Sequence, residues 1–340
     1  MNRSGTKKFY ILMLLMICVT FSLSAYQYEG IVSFNADESD TEPSGTYTID
    51  TTKVLDLSLT LERELYGDKQ NEKPKDSEYS KVTFSTGSSL DVNNRILTHT
   101  NGTDTLSYNL YKDESKAQLL KSVDYYTSLD DVLFYEFPPE SVPFKEILTQ
   151  SFTHDYVAII DADQFVPAGI YTDQIDMNLY LTWSKDAPET EPQPPADGYL
   201  SLSMAIEVQP YLGLSLTTGT TYVQQADSHS MGFGNLENYE SRSVNVIAKS
   251  NVPYRITASS QHDGRIKHQQ IQEYIPYTMS FNGTQIDLNG SSGNPVDLLT
   301  NSEMTPSTGI AYPMIISIGS VEGFEAGNYE DNISFEIIVN

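Results

Sequence analysis

The sequence predicts an all-β protein built from two tandem β-sandwich domains, and three observations predict it. A closing pattern occurs twice: Ala168 to Trp183 reads AGIYTDQIDMNLYLTW, and Ala326 to Asn340 reads AGNYEDNISFEIIVN. Short runs with apolar residues on every second position recur along the chain at roughly ten-residue spacing, with almost no helical period. A proline-rich stretch without a large apolar side chain, Ser184 to Gly198, separates the two halves.

The two closing segments share Ala-Gly-x-Tyr-x-Asp-x-Ile at identical spacing. Ala168, Gly169, Tyr171, Asp173 and Ile175 match Ala326, Gly327, Tyr329, Asp331 and Ile333. A repeat of this length marks a duplicated unit. Beyond the shared Asp, Ile175, Met177, Leu179 and Leu181 alternate with mostly polar residues in one copy, and Ile333, Phe335, Ile337 and Val339 do so in the other. That period of two belongs to a half-buried strand. The Ala-Gly pair suits a tight or positive-φ turn before the strand, and the Tyr can cover the end of a core. The second closing strand runs to Asn340, so its outer edge is expected to lack a partner within the chain.

At the amino terminus, Arg3, Lys7 and Lys8 precede an apolar run from Phe9 that ends in Ser22, Ser24 and Ala25. This is the pattern of a secretory signal peptide over residues 1–25. Cys18 is the only cysteine and lies inside it, and Ile17 before it argues against a lipidation site. The exported chain is therefore expected to have no thiol chemistry. Loss of Arg3, Lys7 and Lys8 moves the formal charge from −26 to −29, which makes nucleic acid and anionic lipid poor partners.

Domain expectations follow: residues 26–183 form a first sandwich, 184–198 a linker, and 199–340 a second sandwich. Tyr26 to Ala36 puts Tyr28, Gly30, Val32 and Phe34 on one parity, as does Val54 to Leu61 for Leu55, Leu57, Leu59 and Leu61. The stretch from Gly67 to Lys81 is charged, without apolar period, and predicts an exposed loop. Strands are expected over Val82 to Phe84 and Thr105 to Tyr111, with turns at Asn93-Asn94 and Asn101-Gly102. Ser115 to Val123 and Pro143 to Gln150 could each hold one or two helical turns. In the second half, Leu200 to Val208 and Leu212 to Leu216 read as one opening strand interrupted by Pro210, which a strand tolerates only at an edge or at a crossover between sheets. MGFGNL at Met231 to Leu236, Ser243 to Ser259 and Tyr274 to Phe281 complete the pattern.

No local signature of catalysis is present: GxSxG, HExxH and phosphate-loop motifs are all missing. His99, His154, His229, His262 and His268 are scattered, and His262 with His268 lacks a nearby third zinc ligand. Asp37, Glu38 and Asp40 crowd together without the ligand pattern of a calcium loop, and Asp161 with Asp163 reads as a turn. No metal or cofactor is expected. Tyr125, Tyr126, Phe134, Tyr135 and Phe137 cluster in a segment of little periodicity, where core filling competes with an adhesive aromatic surface.

The strand TLSYNLYKDESKAQLL followed by AGIYTDQIDMNLYLTW resembles the spore coat protein U domain, which also occurs in pilin subunits of the archaic chaperone/usher pathway. MGFGNL, VNVIAKSNVPYRITAS, YIPYTMSF and AGNYEDNISFEIIVN carry the resemblance through the second half. It implies two immunoglobulin-like, pilin-like sandwiches, and the two-domain order resembles a pilus tip adhesin with a binding domain ahead of a pilin domain. Implied partners are a periplasmic chaperone, an outer-membrane usher, other fibre subunits and a surface receptor, reached by Sec export. The resemblance also implies strand pairing with another chain, for which Ile333, Phe335, Ile337 and Val339 form the candidate acceptor and Tyr28, Gly30, Val32 and Phe34 the candidate donor. The latter four fit equally the first strand of their own domain. Two rival functions are a self-polymerising coat or pilus building block and a secreted carbohydrate-binding module or enzyme.

Overall fold

A computed structural model describes residues 30–35, 44–66, 78–91, 93–122, 124–125, 127–137, 146–182 and 198–340. The expected signal peptide, Tyr28, Asp37, Glu38, Asp40, Tyr126 and residues 184–197 lie outside them. The described part is all-β. A first group of strands comprises β1 (Gly30–Asn35), β2 (Ser44–Tyr47), β3 (Lys53–Tyr66), β4 (Glu78–Phe84), β5 (Arg95–His99), β6 (Thr105–Tyr111), β7 (Leu133–Phe137), β8 (Ile147–Ile160), β9 (Gly169–Thr182) and β10 (Gly198–Val208). A second group comprises β11 (Leu212–Thr217), β12 (Ser241–Ser250), β13 (Tyr254–Ser260), β14 (Arg265–His268), β15 (Tyr274–Phe281), β16 (Thr284–Ile286), β17 (Val296–Asn301), β18 (Ile310–Ile318), β19 (Tyr329–Glu330) and β20 (Ile333–Val339).

Each group forms a body with its own core. In the first body the sheet runs β1-β3-β8-β6-β5-β9-β10-β2, with β4 joined to β9 and β7 joined to β4. β3 and β8 pair antiparallel along their full length, from Lys53↔Ile160 to Tyr66↔Ile147. The alternation in β3 turns Leu55, Leu57, Leu59 and Leu61 inward against Val82, Phe84, Tyr156 and Ile175. In the second body the sheet β11-β12-β18-β15-β14-β19, with β16 on β15, faces the three strands β17-β13-β20. Val246, Ile256, Phe281, Tyr312 and Ile318 fill the space between them.

The expected domain boundary is corrected. β10, assigned from sequence to the opening of the second sandwich, pairs antiparallel with β9 from Gly198↔Leu179 to Val208↔Gly169. Its end also runs parallel to β2, Ala205↔Ser44 to Val208↔Tyr47. Leu202, Met204, Ile206 and Val208 are buried in the first core. Pro210 thus marks the crossing between bodies rather than a break within one strand, because it falls between residues held by different sheets. The two expected helical segments are corrected as well. Ser115 to Leu120 is a turn closed by a Tyr111↔Leu119 bridge, and Ile147 to Gln150 is strand. Continuous pairing with β3 overrides the weak local preference there. The only helical turn among the described residues is a 3₁₀ turn, Leu129–Asp131, with Ser128 and Asp131 forming a reciprocal cap.

Candidate functional site

The two copies of the closing motif build the same corner. Asp173 accepts from the Tyr108 hydroxyl at 2.7 Å and from the Ser88 hydroxyl and backbone N–H at 2.6 and 2.8 Å. In the second body Asp331 accepts from the Tyr277 hydroxyl at 2.6 Å, the Ser260 hydroxyl at 2.6 Å and the His262 backbone N–H at 3.0 Å. Burial, and then the Asp331 carboxylate, push the Tyr277 hydroxyl well above its usual range. The Tyr108 hydroxyl is raised in the same way, by burial first and Asp173 second. The motif glycines seat a histidine: a Cβ at Gly169 would overlap His99 Nε2, and one at Gly327 would overlap His268 Nε2. Those histidines meet the motif tyrosines edge-on, His99 with Tyr171 at 4.8 Å and His268 with Tyr329 at 4.9 Å between ring centres.

In the sequence His99 and His268 look like two of five scattered histidines. They are the same residue of the duplicated unit, each nine positions before the tyrosine that donates to the motif Asp. That spacing was the signal available in the sequence. His262 and His268 are not brought together as a metal pair, and no group of three potential ligands is assembled among the described residues. Asp161 and Asp163 lie in a turn, Asp163 with φ of 66° and Asp161 O accepting from the Tyr47 hydroxyl.

Beyond the corner the two copies diverge. Ile175, Met177 and Leu179 are at most 2% exposed, covered by β10 beside them. The matching Ile333, Phe335 and Ile337 are only half-buried, and Val339 is 53% exposed. β20 pairs with β13 on one side, Ser260↔Ile333 to Tyr254↔Val339, and with no described strand on the other. Close to β20, Leu212, Leu214 and Leu216 of β11 also pack against the second core and are half-buried. β20 is thus an edge strand among the described residues, with the half-buried leucines of β11 close to it, whereas β9 in the first body has β10 paired along that length. The leucines of β11 were missed in sequence as neighbours of the closing strand because their alternation continues that of β10 on the same parity.

The candidate donor residues Gly30, Val32 and Phe34 lie on β1, which pairs antiparallel with β3, Gly30↔Leu65 to Asn35↔Thr60. Their stretch is therefore paired as a strand of its own body, the other reading of the sequence. The aromatic cluster is divided. Phe137 is in the core with Arg63 over its ring at 5.3 Å, and Tyr135 stacks on Phe152 at 3.7 Å. Phe134, on the opposite face of β7, stacks on Tyr79 at 5.6 Å, and Tyr125 is 50% exposed.

Residues 75–178 match the Spore Coat Protein U domain. This segment covers the first body from the approach to β4 through most of β9, and contains Tyr108, His99 and the first closing motif. No curated protein matches the chain. Among solved structures, the tip adhesion subunit CsuE in complex with CsuC, from Csu pili of Acinetobacter baumannii, is similar at 13% identity and a TM-score of 0.41, covering 88% of this chain and 99% of that one. The CupB6 tip adhesin of Pseudomonas aeruginosa is similar at 10% identity and a TM-score of 0.36, covering 89% and 94%. A chaperone–tip adhesin complex of CFA/I fimbriae is similar at 13% identity and a TM-score of 0.33, covering 90% and 98%. Identities and scores this low bear on no residue role in this chain.

Proposed function

We propose that the protein is a non-enzymatic subunit at the end of an exported surface fibre, held there because its second body accepts a strand from another chain while its first body is already complete. The observation that carries this reading is the unequal burial of one motif: Ile175, Met177 and Leu179 are buried beside β10, while Ile333, Phe335 and Ile337 are half-buried on a strand with a free edge among the described residues. An open strand edge beside exposed apolar side chains invites strand addition. Four donor side chains packing in beside β20 would contribute about 6 to 12 kcal/mol of burial, at roughly 1.5 to 3 each, on the scale of a domain's whole net stability. A periplasmic chaperone in transit and a neighbouring subunit in the fibre are the natural suppliers, as the spore coat protein U resemblance implies.

The end position, rather than a place in the shaft, rests on what the alternating segments are doing. β1 is paired with β3 and β10 with β9, so the chain offers an acceptor and no free donor among its described residues. A self-polymerising building block would have to strip one of these strands from the first body. Adhesion then belongs to the first body, where Tyr79, Phe134 and Tyr125 present aromatic surface outside the core.

The test fuses a second copy of Gly198 to Val208 after Asn340 through a flexible linker and follows urea unfolding of the full chain. The added strand is expected to raise the midpoint of the second body and leave the first unchanged. Equal midpoints with and without the extension would refute the open-edge reading.

A further inference from the structure

The two bodies meet at a short crossing, Gln209 to Tyr211, and the groups around it are fully engaged. Asn251, in the turn between β12 and β13, is 2% exposed. Its Nδ2 donates to the carbonyl of Val166 in the first body at 3.0 Å and to that of Gln209 in the crossing at 3.1 Å. Its Oδ1 accepts from the backbone N–H of Tyr211 at 2.6 Å. Its own backbone N–H donates to Tyr211 O at 3.2 Å, and its carbonyl accepts from the N–H of Ala168 at 3.2 Å. One side chain thus satisfies polar groups of both bodies and of the segment joining them. A buried amide with every group used is oriented by all of them at once.

A second fastening lies beside it. Lys249 Nζ stands 5.0 Å from the ring of Phe165 in the first body, and 5.5 and 5.6 Å from those of Tyr211 and Tyr222. Phe165 meets Tyr211 edge-on at 6.3 Å, Tyr211 meets Tyr222 edge-on at 6.4 Å, and their two hydroxyls are 3.3 Å apart. The Tyr222 ring lies on the bare Cα of Gly213, where a Cβ would come within 2.6 Å of its hydroxyl. A cation shared by three rings, one of them from the other body, draws the two surfaces together.

We infer that the crossing is a rigid coupling rather than a hinge, with Asn251 and Lys249 as the positioning residues that set the direction of the first body relative to the second. A bare two- or three-residue tether would leave the bodies free to reorient, the ordinary expectation for a small interdomain contact. Here the tether's own N–H and C=O groups are held by Asn251, so bending at Gln209 or Tyr211 breaks hydrogen bonds on a buried amide. The inference stands whether or not the second body accepts a strand.

The coupling is tested in the full chain. Cys18 is the only cysteine of the sequence, so with Cys18→Ser in place Ser151→Cys in the first body and Thr278→Cys in the second provide the only two spin-label sites, both on exposed strand positions. Pulsed electron resonance should give one narrow interdomain distance. Asn251→Ala should broaden it, and Asn251→Asp should broaden it as much, since a carboxylate of the same size cannot donate to Val166 and Gln209. Lys249→Met, which keeps the apolar stem, should broaden it less. Two results would overturn the coupling: a broad distribution in the unsubstituted chain, or a distribution that neither Asn251 variant changes while both bodies keep their unfolding midpoints. A variant whose second body unfolds is replaced in the comparison by the other Asn251 variant and by a Gly-Ser-Gly insertion after Gln209, which must broaden the distance if the native crossing is stiff.

Discussion

The Tyr108 hydroxyl donates to Asp173 at 2.7 Å across sixty-five residues of chain, and Tyr277 repeats the bond to Asp331 at 2.6 Å across fifty-four. The two bodies therefore share a polar anchor as well as a strand pattern, and each anchor ties the closing motif to a strand from earlier in the chain, β6 in the first body and β15 in the second.

Tyr108→Phe removes a hydrogen bond to a buried carboxylate and should destabilise the first body by about 1.5 to 3 kcal/mol. Tyr277→Phe should do the same to the second. Urea unfolding monitored separately in each body checks this, and each substitution is expected to move one transition only.

Met177 and Phe335 occupy the same position in the two closing motifs, and the difference in their burial makes a paired prediction. Met177→Asp places a charge in a dry core and should unfold the first body. Phe335→Asp places it at a half-buried position of an edge strand, so the second body should lose much less stability while losing its response to the fused strand. Similar destabilisation by both would mean that the edge of β20 is covered in solution.

Although residues 184–197 connect β9 to β10 in sequence, β10 is retained by its pairing and core packing. A protease site inserted there and cut in the full chain should leave the two fragments on either side of the cut associated through β10 under native conditions. Size-exclusion chromatography reads the outcome. In the same protein Ile206→Asp, which charges a fully buried position of β10, should let the cut fragments separate.

His154 supplies a pH dependence. It points into the first body beside Phe152 and Tyr135, and burial, with the Lys112 charge adding to it, holds its pKa down at about 4. The unfolded chain protonates His154 near 6.5 while the folded one resists until about 4, so stability present above pH 6.5 is lost as pH falls across that window. The loss approaches about 3 kcal/mol, from a shift of roughly two and a half units at 1.36 kcal/mol each. His154→Phe should flatten the profile between those pH values, as measured by the urea midpoint of the first body.

Adhesion by the first body predicts that Tyr79→Ser with Phe134→Ser, which dismantles the stacked pair outside the core, weakens surface or glycan binding of the full chain without moving either unfolding transition. Phe335→Asp should leave that binding intact. If the outcomes are reversed, adhesion belongs to the second body.

The all-β class, the duplicated closing motif, the strands from Val54, Thr105 and Tyr274, and the absence of catalytic signatures were determined by the sequence itself. They depend on local facts: a period of two along a strand, turn residues between strands, and spacing within a motif. Where 198–208 goes was decided only by the tertiary structure. Leu202, Met204, Ile206 and Val208 alternate in the same way whichever sheet receives them, and what selects the first body is the vacant edge of β9 reached by the returning chain. The free edge of β20 goes with it: Ile333, Phe335 and Ile337 follow the same pattern as Ile175, Met177 and Leu179, yet among the described residues β20 has a paired strand on one side only. His99, His268 and Asn251 became legible for the same reason. Their partners lie on strands and turns far along the chain, and distance in sequence carries no record of which side chains a folded sheet brings within hydrogen-bond reach.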